Sequence, residues 1–162
     1  KPAYAIRLSL VGSEMCIRDR SQAVCNVFKM NLLKGNHDFD GGATYKIALY
    51  TSSKTVSVSD PTSYNTTNQI SGTNYTAGGN TLANPAVGRT GSTSFVDFDD
   101  TSWTTATFTA RYAQIYQSSG GAASGNNSVL VLDFGGDFTA TAGTFTIQFP
   151  ANDSSNAILR LS

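Results

Sequence analysis

The spacing of hydrophobic positions changes once along the chain, from a helical period to an alternating one. Apolar residues between Val24 and Leu33 recur at intervals of three and four, and Gly35 follows where a helix C-cap would stand. This spacing predicts a helix over residues 22–34. From residue 44 onward the period is two, which is typical of strands with one buried face.

Eight short strands are predicted in this second part. They are rich in Thr, Val, Ile, Phe and Tyr, and glycine pairs or polar turns separate them. No helix-length crossover lies between them, which favours antiparallel pairing. The predicted strands are residues 44–51, 69–75, 81–83, 94–98, 106–116, 128–134, 143–149 and 157–161. The pattern predicts an all-β fold, an antiparallel β-sandwich of jelly-roll type with one short N-terminal helix.

Alternation also predicts which side chains form the core. The predicted core positions are Tyr45, Ile47, Leu49, Val96, Phe98, Phe145, Ile147 and Phe149. Asp97 and Asp99 fall on the opposite face of their strand. Residues 129–132 are apolar on both faces, which indicates a central strand that is covered on each side, with the helix as one cover. The polar stretches 52–67 and 117–127 predict exposed loops.

The first twenty residues need separate treatment. Residues 10–20, LVGSEMCIRDR, resemble one reading frame of a transposon-end adaptor that is joined to DNA fragments before short-read sequencing. The resemblance implies a conceptual translation of metagenomic DNA in which residues 1–20 are an adaptor and chimera artefact. We therefore expect the evolved protein to begin near Ser21, and residues 21–162 to form a single domain.

Leaving out this segment changes the charge and the cysteine content. Of the 11 basic and 11 acidic residues in the chain, four basic and two acidic ones lie within residues 1–20, so 7 and 9 remain and every remaining acid is Asp. Such a mildly acidic balance argues against nucleic acid as a partner. Cys25 becomes the single cysteine, which excludes a disulfide framework. No apolar run reaches the roughly 18 residues of a membrane span, so no membrane partner is expected.

A family resemblance rests on four stretches. They are TYKIALYTSS (residues 44–53), SGTNYTAGGNTL (71–82), FVDFDDTSWTTATFTARYAQIYQSS (95–119) and VLDFGGDFTATAGTFTIQFP (131–150). In this order they resemble a family of small, mostly uncharacterised proteins of tailed bacteriophages and prophages that are associated with the virion. Tyr112 stands where that pattern has glycine. The resemblance implies a component of the phage particle and supplies no catalytic residues.

The function expected from this resemblance is that of a non-enzymatic virion structural protein, a capsid decoration or head-associated protein. It would be assembled in the cytoplasm of the host bacterium and reside in the virion, as a homo-oligomer in contact with other virion proteins. The alternative is a tail-fibre or receptor-binding module that binds a host surface glycan through Trp103, Tyr112 and Tyr116. Those aromatic residues can equally close the edge of the core.

The side chains that could support catalysis are few. His37 is the only histidine, which excludes a site with two histidine ligands, and we expect it to be a solvated turn or cap residue. Cys25 is expected to be a small core residue. Asp97 with Asp99 or Asp133 could supply the two carboxylates of a glycoside hydrolase, but aspartates beside turns commonly cap local amides. The sequence therefore predicts no catalytic residue and no cofactor.

Ion and nucleotide binding are equally weakly indicated. The acidic residues that could gather calcium are Asp97, Asp99, Asp100, Asp133 and Asp137. Their spacing is not that of an EF-hand loop. The glycine pairs at 78–79 and 120–121 lack the lysine and the helix start of a phosphate-binding loop. No metal site is predicted.

Overall fold

The computed structural model describes residues 4–7, 22–55, 62–122 and 125–162. Its regular structure is mostly antiparallel strand in two sheets, so the all-β, antiparallel part of the prediction is confirmed. The elements in chain order are β1 (Tyr4–Arg7), β2 (Gln22–Val24), α1 (Asn26–Leu33), β3 (Thr44–Tyr50), β4 (Asn80–Thr81), β5 (Ala86–Thr90), β6 (Thr93–Asp97), β7 (Thr101–Ser119), β8 (Asn127–Gln148) and β9 (Leu159–Leu161).

The larger sheet is built around one long antiparallel hairpin, β7 and β8. Its strand order is β1-β8-β7-β3-β4, and β2 pairs with another part of β8. Thus β8 has neighbours on both sides, and α1 contacts it. The prediction of a central strand covered by the helix is confirmed. The smaller sheet has the order β5-β6-β9.

The two strands predicted at residues 128–134 and 143–149 are a single strand, β8. The glycines between them do not make a turn but lie in a bulge, because Asp133 pairs with Tyr112 while Phe138 already pairs with Ala110. Gly135 has a φ of +80°, a conformation that glycine adopts without strain. Bulges bend and twist a strand locally, so they allow this long hairpin to curve.

The predicted helix is confirmed only from Asn26 to Leu33. Residues 22–24 form β2 instead, pairing with residues 130–132 of β8. Cys25 is extended, and its N–H donates to the carbonyl oxygen of Val129 at 2.9 Å, which ends the strand and starts the helix. The predicted C-cap at Gly35 is confirmed: its φ is +68°, and the N–H groups of residues 35 and 36 donate to the carbonyls of residues 32 and 31.

Two further strand assignments need correction. Residues 69–75 are not a strand, because only Gln69 and Thr73 make isolated bridges, to Tyr50 and Thr107. Conversely, β5 was missed. Its residues pair with β6 across a two-residue turn at residues 91–92, so tertiary pairing outweighs the weak local pattern there.

The two sheets share one hydrophobic core. Every core position predicted from alternation is buried, including the fully enclosed Ile47, Phe145 and Ile147. Val96 and Phe98 bring the end of the smaller sheet into the same cluster. Ile158, just before β9, is also buried there, so the chain closes its own core near its end.

Strand β1 pairs in parallel with residues 145–148 of β8, while residues 8–21, which include the whole adaptor-like segment 10–20, lie outside the described residues. That residues 1–20 are dispensable stays a prediction. We expect a chain that lacks them to melt within about 2 °C of the full chain, because an artefact segment should not stabilise the fold. A contribution of ~1 kcal/mol would shift the melting temperature by more than this. Calorimetry of both proteins tests this, and a drop of several degrees would show that β1 stabilises the sheet.

Candidate functional site

His37 is the most chemically distinctive residue, and the structure corrects its predicted setting. It is not solvated, because only 9% of the residue is exposed. Its ring lies 4.7 Å from the ring of Phe28, centroid to centroid, and near those of Phe39 and Tyr45. The turn that follows α1 therefore folds the imidazole inward against the aromatic end of the core.

A buried amide fixes the tautomer of this imidazole. Gln117, at the end of β7, is fully buried, and its Oε1 lies 2.7 Å from His37 Nδ1 and 3.2 Å from the hydroxyl of Tyr45. Its Nε2 donates to the carbonyl of Gly120. Because Oε1 can only accept, His37 carries its proton on Nδ1. The sequence had assigned Gln117 to an exposed loop, which is wrong.

The other imidazole nitrogen, Nε2, is buried and has no hydrogen-bond partner among the described residues. Burial lowers the pKa of His37, and the hydrogen bond to Gln117 opposes this less strongly. The neutral form therefore dominates near pH 7, with Nε2 as an unpaired acceptor. No described residue hydrogen-bonds to Nε2, so none is placed to deliver a proton to it.

A shallow open depression of about 750 Å³ lies over this cluster. Its walls come from the segment between α1 and β3, from the edge of the smaller sheet and from the end of the β7–β8 turn. The lining residues are Gly35, Asn36, His37, Asp38, Phe39, Asp40, Val87 and Gly121. The lining therefore combines two acidic residues, Asp38 and Asp40, with the apolar residues Phe39 and Val87.

Asp97 is a second buried titratable group. Although the alternation placed it opposite the core, it is 2% exposed. Its two oxygens accept from the N–H groups of Phe98 (2.9 Å) and Ile158 (3.3 Å). Burial raises its pKa to about 6, these hydrogen bonds oppose the rise, and Asp100 and Asp153 add to it. Asp97 thus ties β6 to the segment before β9, a structural role.

This carboxyl makes stability depend on pH. The folded-state pKa is about 6 and the unfolded value 3.8, so the folded state binds the proton more tightly and is stabilised at low pH. The free energy of unfolding should fall as pH rises from about 4 to about 6, by on the order of 2–3 kcal/mol. Urea titrations across this range should show the fall, and Asp97→Asn should abolish it.

Asp99→Asn is the matched control for that experiment, because Asp99 is exposed and bonded to the side chain of Asn84. The fall in the free energy of unfolding between about pH 4 and about 6 should persist in this variant, because Asp97 is still present. His37 contributes a slope of opposite sign, since its lowered pKa removes stability as pH falls below 6.5. The difference between the parent and the Asp97 variant isolates the carboxyl. An unchanged slope in Asp97→Asn would contradict the assignment.

The remaining aspartates do not converge. Asp100 Oδ1 accepts from the N–H of Phe149 at 2.8 Å, and Asp137 is exposed. Asp133 forms an ion pair with Arg111, with Nε and Oδ1 2.6 Å apart. Within the described ranges, no three His, Cys, Asp or Glu residues are grouped in a way that could hold a metal ion. Asp100 therefore anchors backbone, and Asp133 pairs with arginine.

Cys25 and Trp103 lie in the core, as predicted. Cys25 is fully buried at the entrance to α1, which confirms its interpretation as a core residue. Trp103 packs between the rings of Tyr75, Phe108 and Phe145. Of the three aromatic residues named for glycan binding, Trp103 and Tyr116 are buried, and Tyr112 is partly exposed.

A network of hydroxyl and amide groups on the outer face of the larger sheet was not foreseen. Tyr116 is buried, stacks on Tyr64 at 4.5 Å and donates to the carbonyl of Gly78. Tyr50 donates to Gln114 Oε1 at 3.0 Å, and Gln114 Nε2 donates to the hydroxyl of Ser128. Burial raises the pKa of Tyr50 and Tyr116, so both stay protonated.

This network also revises the stretch predicted as an exposed loop at residues 52–67. Tyr64 is partly buried there, and Lys54 lies over the ring of Tyr50 at 4.4 Å. Tyr64, the one aromatic residue of this polar stretch, is the sequence signal that could have indicated such a cover. Residues 56–61 lie outside the described part of the chain.

Searches of family models, of curated proteins and of solved structures returned no match to this chain. No helix in the described ranges is both long enough and apolar enough to cross a membrane.

Proposed function

We propose that this chain is a non-enzymatic structural protein of a bacteriophage particle, of the decoration or head-associated kind. Its best chemical candidates support the proposal. Cys25 belongs to the core, Asp97 binds backbone amides, and His37 has one nitrogen held by Gln117. Each of these groups has a structural explanation that needs no substrate.

The observation that carries the proposal is the exposure of large apolar side chains. Leu33, at the end of α1, is 91% exposed, and Met30, one helical turn earlier, is about half exposed. Val87, on β5, is 59% exposed at the wall of the depression. Apolar side chains left outside a well-filled core favour a surface that is buried on assembly.

The finer parts of the assignment belong to the same proposal. The jelly-roll form of the sandwich is one of them. It is supported by the two sheets, whose strands are mostly antiparallel. Residence in the virion after assembly in the bacterial cytoplasm, and contact with other virion proteins, are the others. Symmetric use of many copies would make a homo-oligomer.

Particle composition tests the proposal. Tailed phage particles would be banded by density from the material that carries this gene, analysed by mass spectrometry and labelled with gold-conjugated antibody against the full chain. Peptides of this chain should band with the particles, and the label should lie on the head. Recovery only in the unbanded soluble fraction would overturn the proposal, and label on the fibres would replace the head assignment by the tail-fibre alternative.

Variants sharpen this experiment. Placing a charge at Leu33 (Leu33→Asp) should prevent the protein from banding with particles, because an unpaired charge would be buried in the interface. Thr104→Asp, at an exposed position of β7, is the matched control and should band normally. Folded Cys25→Ser and His37→Ala proteins should also band, since neither side chain is proposed to act on a substrate.

A further inference from the structure

The smaller sheet ends in an open edge. Strand β5 pairs with β6 on one side, and no described strand pairs with its other side. An open edge presents unpaired backbone donors and acceptors, which proteins usually shield or use for pairing with another chain. Arg89 is a charge on this strand, and Gly88 lies at its centre.

The register determines which groups face outward. Thr90 and Thr93 close the two-residue turn, so they form a hydrogen-bonded pair, and such pairs alternate along an antiparallel ladder. Val87 and Arg89 are then the residues whose N–H and C=O groups point away from β6. Their side chains share one face of the sheet, because they are two residues apart. Val87 lines the depression, so this is the face on which the depression opens.

The depression and this edge carry opposite charges. Asp38 and Asp40 line the depression, and the carboxylate of Asp40 has no hydrogen-bond or ion-pair partner among the described residues. Arg89 is exposed; its guanidinium donates to the carbonyl of Gly91 at 3.2 Å and pairs with no carboxylate in the described part of the chain. Among the described residues, Arg89 and Asp40 therefore both lack an ionic partner, and both lie beside the open edge of β5.

We propose that β5 pairs with β5 of a second copy of this chain in an antiparallel fashion about a twofold axis at Gly88. In this register Val87 lies opposite Arg89 of the partner subunit, and both present their outward backbone groups to each other. Cross-strand neighbours on one face are about 5 Å apart. Arg89 of the partner subunit therefore projects on the face of Val87, toward the acidic depression.

Self-pairing follows from the symmetry of the charges and of the strand. A twofold axis repeats each contact, so the acidic depression of one copy receives the arginine of the other in both directions. Gly88 carries no side chain at the axis. The exposed Val87 would be covered, and the smaller sheet would continue through six strands across the dimer.

The test is the oligomeric state of the full chain by sedimentation velocity over a concentration series. The parent should dimerise. Arg89→Glu and Asp40→Arg should each weaken the dimer by about tenfold or more, since each places like charges together. The double variant that carries both substitutions should dimerise again, because the pair is restored with its charges exchanged. Lys29→Glu on α1 is the control and should leave dimerisation unchanged.

A parent that stays monomeric at all concentrations would overturn the inference, as would single variants without effect or a double variant without recovery. Recovery in the double variant also excludes misfolding as the cause of the single-variant losses. The inference deepens the proposed role in assembly, and the two fail separately. Absence from phage particles overturns the function but not the dimer, whereas a monomer in solution overturns the interface alone.

Discussion

Phe145→Ala should lower the free energy of unfolding by about 3–5 kcal/mol, the range for emptying a fully buried phenylalanine site. Phe145 has no exposed surface, and its ring centroid lies 5.1 Å from that of Phe108 and 6.0 Å from that of Trp103. Bulky rings on several sides cannot all move into the vacated space, so a cavity would remain. Urea unfolding followed by the fluorescence of Trp103, the single tryptophan, measures the loss directly.

Thr146→Ala provides the matched control on the next residue of β8. Its side chain points to the other face, where its hydroxyl lies 3.0 Å from that of Ser102 at an exposed site. Its removal should cost less than about 0.5–1 kcal/mol. Equal losses in the two variants would mean that alternation assigns the faces of this strand wrongly.

The core was predictable because alternation is a local property. Phe145 and Ile147 were assigned from spacing alone, and both are fully buried. The path of the chain was less predictable. Gly135 reads as a turn residue in sequence but lies in a bulge, since the partner strand β7 continues past it. Similarly, residues 22–24 have a helical spacing of apolar positions but form a strand, because they pair with β8, more than a hundred residues later.

The burial of His37 and Asp97 was not predictable, because the groups that bind them are distant in sequence. His37 reads as a turn residue among Asn36, Asp38 and Asp40, and nothing near it in sequence indicates burial. Its hydrogen-bond acceptor is Gln117, eighty residues away. Alternation placed Asp97 on the outer face, but Asp97 is buried and accepts a hydrogen bond from the backbone N–H of Ile158, sixty-one residues away. Buried polar groups require partners, and their partners here come from tertiary structure.

Gln117→Met should be the most damaging change at a polar site, lowering the free energy of unfolding by about 2–4 kcal/mol. Methionine has nearly the same length and shape, so the core keeps its volume. The variant nevertheless removes the acceptor shared by His37 Nδ1 and the hydroxyl of Tyr45, which lie 2.7 Å and 3.2 Å from it. The N–H of His37 Nδ1 would be left without a partner, and the carbonyl of Gly120 would lose its donor. The Tyr45 hydroxyl keeps the carbonyl of Asp38, 3.2 Å away, as its acceptor. A buried polar group without a partner costs its full desolvation penalty.

Gln148→Met separates this effect from any general effect of methionine, because Gln148 lies at a partly exposed position near the end of β8. That control should change stability by less than about 0.5 kcal/mol. A second substitution identifies the donor: combining Gln117→Met with His37→Phe removes the imidazole as well as its acceptor, so the double variant should lose less than the sum of the single losses. Additive losses, or a Gln117→Met loss below about 1 kcal/mol, would show that the amide does not hold the imidazole in place.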